Sequence, residues 1–339
     1  MSELKIITGN SHYINPSEWS KFVLSHPNGN IFQTPEMFEI YNATDGYETI
    51  LVTALNGSGQ IVGILLAAIQ KQLNGVLGSF VARSIINGGP LILEECPKIL
   101  DALLSEYNRV AQKKAIYSQI RNDKPWDNFK KIFYKHGFIF EDHLNIIVDL
   151  SKPEDELWAD VNSKRRNEIR RARKEGTSFS AKTSLDDLEE SYNIIRSVYR
   201  RVKLPIPSFA FFKNIHQKSN ENLGLTLFCA ENESRVIGCM IALCYKETIF
   251  NYYAGAYTEH YKKYPNDLIP WEVFLWGKDN GFQTFDFGGA GKPNVPYGVR
   301  EYKKKFGGKM VNFGRFENIH HPSLFQIAKT GFNLIRKLK

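Results

Sequence analysis

Two stretches of this chain repeat one another, and that repeat limits the fold more than composition does. Gln60-Ile61-Val62-Gly63 opens an apolar run behind the turn Asn56-Gly57-Ser58-Gly59, and Arg235-Val236-Ile237-Gly238 opens a second behind Asn232-Glu233-Ser234. Each run reads as the second arm of a hairpin, with Tyr47–Leu55 and Thr226–Glu231 as the first arms. A further strand, a helix and a closing strand follow in both copies. In the first copy these are Ser84–Leu93, broken by Asn87-Gly88-Gly89-Pro90, then Pro97–Lys114 with Ile99, Leu103, Tyr107 and Val110 on one face, then Ala115–Ile120. In the second they are Thr248–Ala254, Pro270–Asn280 stopped by Gly281, and Thr284–Phe287. Helices are also expected at Trp126–His136, Glu154–Glu175 and Leu185–Arg201, and a strand at Leu144–Leu150.

Two copies make a duplication rather than a solenoid, and 339 residues are the length of two domains. The expected fold class is α/β (α+β), with each domain a mixed sheet flanked by helices. The expected division is 1–150, 151–321 and a tail at 322–339. Helix–strand–strand–strand–helix–strand order is the layout of a GNAT-type acyl-transfer domain, so two such domains in tandem are expected.

Charge separates the halves. Residues 1–150 carry a net −2 and residues 151–339 a net +10, so the basic excess belongs to the second copy and suits a polyanionic partner. No run of 18 apolar residues and no signal-like N-terminus is present, and the cysteines at 96, 229, 239 and 244 form no ligand spacing. These features point to a reducing cytoplasm. P-loop, dinucleotide and HExxH fingerprints are absent, and the eight histidines are scattered. No cofactor and no metal site is therefore expected.

Several segments, in order, resemble the FemABX aminoacyltransferases, which add cross-bridge residues to peptidoglycan precursors. They are Ile31-Phe32-Gln33-Thr34-Pro35, Trp158 with Arg165–Ala172, Arg201–Pro205 before Phe211-Phe212, Tyr252–Ala256, Pro270-Trp271-Glu272, Phe285–Gly289 and Tyr302-Lys303 before Phe306-Gly307-Gly308. The resemblance implies tandem GNAT-like domains and transfer of an amino acid from aminoacyl-tRNA to an amine of a peptidoglycan precursor. The expected partners are that donor and that acceptor, with no DNA. Such a reaction starts from an ester the tRNA has already activated, so it needs positioning and oxyanion stabilisation but no protein nucleophile.

On that basis Lys303 and Asp286 are the catalytic candidates, Lys303 for the oxyanion and Asp286 for orienting the amine. Arg201, Tyr253, Tyr302, Arg300 and Lys305 are candidates for substrate binding, with the Tyr302 ring expected to stack on the terminal adenosine. Seven basic residues between Lys164 and Lys174 place Arg166, Arg170 and Lys174 on one helical stripe suited to tRNA phosphates, although a solvated face fits as well.

The chief rival is a coenzyme A-dependent N-acyltransferase acting on an envelope sugar or lipid. Its diphosphate needs a glycine-rich loop at a helix start, and Thr258–Asp267 contains no glycine. A non-catalytic RNA- or anion-binding scaffold is the third reading. In the tail, Leu324, Phe325, Ala328, Phe332, Ile335 and Leu338 form one apolar stripe, with Lys329, Arg336, Lys337 and Lys339 opposite. Such a helix either docks on its own domain or lies on the inner face of an anionic membrane.

Overall fold

Local chemistry sets where the helices begin. The first, α1 (Pro16–Ser25), starts on Asn15, whose side chain accepts the Ser17 N–H; α2 (Pro35–Asn42) starts on Thr34, which accepts from Met37 N–H. Both carry proline in the first turn, where no donor is lost. The computed structural model describes residues 4–9, 14–71, 82–93, 96–220 and 223–338, with side chains through 331.

Two compact units result, one of residues 1–142 with 313–339 and one of residues 143–312. In the first, β1 (Lys5–Thr8), β2 (Tyr47–Leu55), β3 (Ile61–Gln70) and β4 (Arg83–Gly88) run antiparallel in that order, with β5 (Leu91–Ile92) also on β3. Beyond β4 lie the parallel strand β6 (Tyr117–Asn122), then a late strand from residues 315–319, then β7 (Ile139–Glu141). The core packs α3 (Pro97–Ala111) and α4 (Lys130–Lys135) on this sheet, centred on Tyr107, Trp126, Phe133 and Phe316.

In the second unit, β8 (Leu144–Asp149) is followed by α5 (Glu154–Asp160), α6 (Ser163–Lys174), β9 (Ser178–Lys182), α7 (Leu185–Arg201) and α8 (Phe209–Lys218). Then come β10 (Leu223–Asn232), β11 (Arg235–Tyr245), β12 (Thr248–Ala256), α9 (Pro265–Asp279), β13 (Thr284–Gly289), α10 (Gly298–Lys304) and β14 (Lys309–Asn312). The sheet order is β14-β8-β13-β12-β11-β10-β9, with only β12 and β13 parallel.

The repeated glycines have one cause. A Cβ on Gly63 would lie 2.5 Å from Ile99 Cγ2, and one on Gly238 would lie 2.8 Å from Pro265 Cβ. In both units the first turn of the helix crossing the sheet rests on the bare backbone of the hairpin's second arm.

The chain divides differently from the expected boundaries. Leu144–Asp149, placed in 1–150, pairs with β13 and β14 and so lies in the second unit. Residues 313–319, placed in 151–321, return to the first unit as β15 (Arg315–Ile319), paired to both β6 and β7. Each sheet thus takes one inner strand, β8 or β15, from the chain segment that directly follows an edge strand of the other sheet. The helix expected at Glu154–Glu175 is two helices. Asn162 breaks it, its side chain capping Lys164 N–H while its own N–H donates to Lys305 O. In the tail helix α11 (Pro322–Leu338), Phe325 packs edge-on against Tyr117 at 5.2 Å, and Leu324 and Ala328 are half-buried. The tail side chains from Phe332 onward lie outside the described residues.

Candidate active site

The parallel strand pair differs between the two units. In the first, β4 and β6 stay paired over six positions, from Arg83↔Tyr117 to Gly88↔Asn122. In the second, β12 and β13 pair only at Thr248↔Thr284, Ile249↔Phe285 and Phe250↔Asp286, although β12 runs on to Ala256 and β13 to Gly289. A bulge accounts for the parting. Register between β11 and β12 shifts from Ala242↔Asn251 to Ile241↔Tyr253, which leaves Tyr252 as the extra residue that bends β12. The second unit therefore has an opening between two strands where the first has a closed seam.

Asp286 and Lys303 lie at the root of that opening. Asp286 is the last residue of β13 paired with β12, and its Oδ1 accepts the Gly288 N–H at 2.6 Å. Lys303, in the last turn of α10, donates through Nζ to Phe287 O at 2.5 Å and Gly289 O at 2.9 Å. Those carbonyls lie beyond the last β12–β13 pair, so the ammonium satisfies backbone that the broken ladder leaves over. Burial raises the Asp286 carboxyl to about 6, against the pull of the Gly288 N–H and the Lys303 charge. Burial also lowers Lys303 to about 8, with Asp286 opposing. At neutral pH the pair is a carboxylate of unusual basicity beside an ammonium that gives up its proton readily.

Tyr253 stands on the diverging part of β12, with Tyr199 of α7 and Phe212 of α8 each 5.3 Å from its ring. Arg201 ends α7, donates to Thr258 Oγ1 and, at 2.6 Å, to the Tyr261 hydroxyl, and lies over the Tyr261 ring. Lys305 is half-buried, and its carbonyl receives the Asn162 N–H.

Three expected ligands of substrate have other duties. Tyr302 does not offer its ring: its hydroxyl donates to Asn266 O at 2.5 Å, Phe306 packs on one side and the Arg165 guanidinium lies over the ring at 5.3 Å. The adenosine-stacking role does not fit that placement, because Tyr302 faces the α9 side and its neighbour Lys303 faces the opening. Arg300 is buried and donates to Ala290 O, Lys292 O and Val295 O, tying down the loop after β13. Arg166 caps the end of α5 through Trp158 O and Ala159 O. Arg170 lies over the Trp158 ring, and Lys174 is exposed.

Sequence reasoning missed the lock on α9. Its entry turn has no glycine, and Tyr264 takes the left-handed conformation at φ +54°. Asp267, buried in the first helical turn, ion-pairs with Arg165, which also bridges to Glu168 at 2.9 Å. The Asp267 and Leu268 N–H groups both donate to Tyr264 O, and a buried carboxyl lies in the same turn, where a coenzyme diphosphate would need free backbone donors. Arg165 stood in the quoted basic run, but its partner is 102 residues away and no local spacing joins them.

Comparison with known proteins agrees with this geometry. Residues 163–304 match the acetyltransferase (GNAT) domain model, the stretch that holds the opening. A crystal structure of FemX superposes with a TM-score of 0.71 at 16% identity, covering 95% of this chain and 99% of that one. A tandem GNAT protein from the clavulanic acid biosynthesis pathway superposes at 0.61 with 10% identity, covering 94% and 99%. The fold is a tandem GNAT fold. The lipid II:glycine glycyltransferase of Staphylococcus epidermidis is 20% identical over 418 aligned positions, spanning 96% of this chain and 98% of that protein. The alignment is longer than this chain, so that relative carries segments without counterpart here. The FemABX resemblance read from the motifs holds along the chain, and the protein is an acyltransferase.

Proposed function

We propose that this protein transfers an amino acid from aminoacyl-tRNA to an amine of a peptidoglycan precursor, within the opening of the second unit. The observation that carries the reading is the parting of β12 from β13 with Asp286 and Lys303 at its root, while Thr258–Asp267 contains no glycine and the first N–H groups of α9 are spent on Tyr264 O. The relatives named as lipid II:glycine glycyltransferases support a lipid-linked acceptor.

In the reaction the acceptor nitrogen attacks the ester carbon. An amide C–N bond forms, and the bond to the tRNA ribose oxygen breaks. The amine proton passes to the Asp286 carboxylate and from there to the departing oxygen. Lys303 spends two N–H groups on carbonyls and directs the third toward the developing oxyanion. Arg201 and Tyr253 hold the acceptor. Of the three cations expected to meet tRNA phosphate, Lys174 is the one exposed without a side-chain partner among the described residues, with Arg170 reaching the phosphate from over the Trp158 ring. A lipid-linked acceptor places the reaction at the inner face of the membrane.

The match to an acetyltransferase domain model favours the coenzyme A reading as the second choice. Incubating the protein with labelled aminoacyl-tRNA or labelled acetyl-coenzyme A and lipid-linked precursor decides between them. Label is expected to move from tRNA, and movement from coenzyme A alone would reject the proposal.

A further inference from the structure

Six exposed apolar residues of the second unit come from three segments that meet beside the opening. Val202 (47% exposed) and Leu204 (47%) follow α7, Tyr261 (40%) follows β12, and Val295 (52%), Tyr297 (41%) and Val299 (43%) follow β13. Direct contacts join the first two segments, and the third lies within electrostatic reach of Tyr199 in α7. Leu204 N–H closes back on Tyr199 O at 3.0 Å, and Arg201 binds Thr258 and Tyr261. The Tyr297 hydroxyl is near enough to add to the effect of burial in raising Tyr199. Arg300 fixes the third segment through Ala290, Lys292 and Val295.

Charge around these residues is predominantly positive. Arg200, Arg201, Lys203, Lys262, Lys263, Lys292, Lys304 and Lys305 lie in the same segments, against Glu259 and Glu301. Valine and leucine neither stack on bases nor bond to them, so RNA gains nothing from four exposed aliphatic side chains. An anionic bilayer gains from both features, because aliphatic groups enter the headgroup boundary while lysines meet lipid phosphate.

We infer that the rim formed by residues 202–204, 261 and 295–299 is an anionic-membrane docking face that sets the opening of the second unit against the bilayer. This inference deepens the proposed function, since a lipid-linked acceptor would present its amine at that surface, but it is tested without turnover. Full-length protein is sedimented with phosphatidylcholine vesicles containing or lacking about one third phosphatidylglycerol. The wild type is expected to bind the anionic vesicles only. The combined variant Val202→Ser, Leu204→Ser, Val295→Ser, Val299→Ser is expected to lose at least tenfold in vesicle affinity while keeping its melting temperature and its aminoacyl transfer to a water-soluble acceptor. The tail variant Ile327→Ser, Lys329→Glu is expected to bind as the wild type does.

A second measurement is independent of the combined variant's folding. Val299→Cys carrying an environment-sensitive fluorophore, in a Cys96→Ser background, is expected to shift to the blue on anionic vesicles. Undiminished vesicle binding by the serine variant, or an unshifted fluorophore on bound protein, overturns the inference. Loss of tRNA affinity without loss of vesicle affinity also overturns it and assigns the face to RNA. Failure of the tRNA transfer assay with vesicle binding intact would reject the reaction and leave the surface standing.

Discussion

Asp286 is held at a cost to the fold, and that cost is measurable. Its folded value near 6 lies above the ordinary 3.8, so the folded protein prefers the proton. The stability this contributes is complete below about pH 4 and lost as pH rises through 6. Asp286→Asn keeps the shape without the charge, and it is expected to raise stability by roughly 2–3 kcal/mol at pH 7–8 and by nothing near pH 4, read from melting curves at each pH. The same variant is expected to lose about 100-fold or more in kcat/KM and to lose the acid limb near pH 6; an unchanged pH profile would remove Asp286 from proton transfer. Gln33 shows the opposite case, a motif residue with a structural duty. Fully buried, its amide donates to Leu66 O and Asn87 O, and its oxygen accepts Leu66 N–H, filling a gap in the ladder between β3 and β4. Gln33→Ala is expected to cost about 2–4 kcal/mol in denaturant unfolding, since three buried backbone groups lose their partner.

The two sheets differ in where the middle of the ladder breaks. Tyr252 bulges β12 against β11, and the strand beyond it leaves β13, whereas β4 parts from β3 after Ile85 and stays paired with β6 through Gly88. The helix–sheet contacts are alike, and the paired glycines test that likeness. Gly63→Ala would press on the Ile99 methyl and Gly238→Ala on the Pro265 ring, both closer than real Cβ contacts come. Each is expected to destabilise by about 1–3 kcal/mol in thermal unfolding. Of the two, Gly238→Ala is expected to cost more, because a proline at a helix start cannot rotate away. Equal, negligible shifts would show that the helices have room to move.

Strand exchange governs how the molecule can be divided. Residues 143–312 contain every strand of the second sheet, but the first sheet needs β15, which lies between β6 and β7. A 143–312 fragment is therefore expected to give one cooperative unfolding transition, and a 1–142 fragment none, by calorimetry or circular dichroism. Joining residues 313–339 to 1–142 is expected to restore a transition. A cut at 150, the boundary the sequence suggested, takes β8 out of the middle of the second sheet, and a 151–339 fragment is expected to aggregate through the edges it exposes.

Hairpins, the helical face of α3, the span of α7, the glycine repeat and the tandem architecture were all readable in the sequence, because turn chemistry and apolar periodicity act over a few residues. Asp286 and Lys303 were also named there, through motifs that lie within 18 residues of one another. Tyr302, Arg300 and Arg166 were misjudged, since a cation or a ring in a basic run looks the same whether it faces a ligand or a carbonyl. The short strands β1, β9, β14 and β15 left no pattern long enough to find. Composition and local order thus determined the class of fold and the half of the chain that holds the candidate site. Tertiary structure alone decided where β12 leaves β13, which cations are already spent, and which segment completes each sheet, because these depend on partners up to some 200 residues apart that no short-range signal connects.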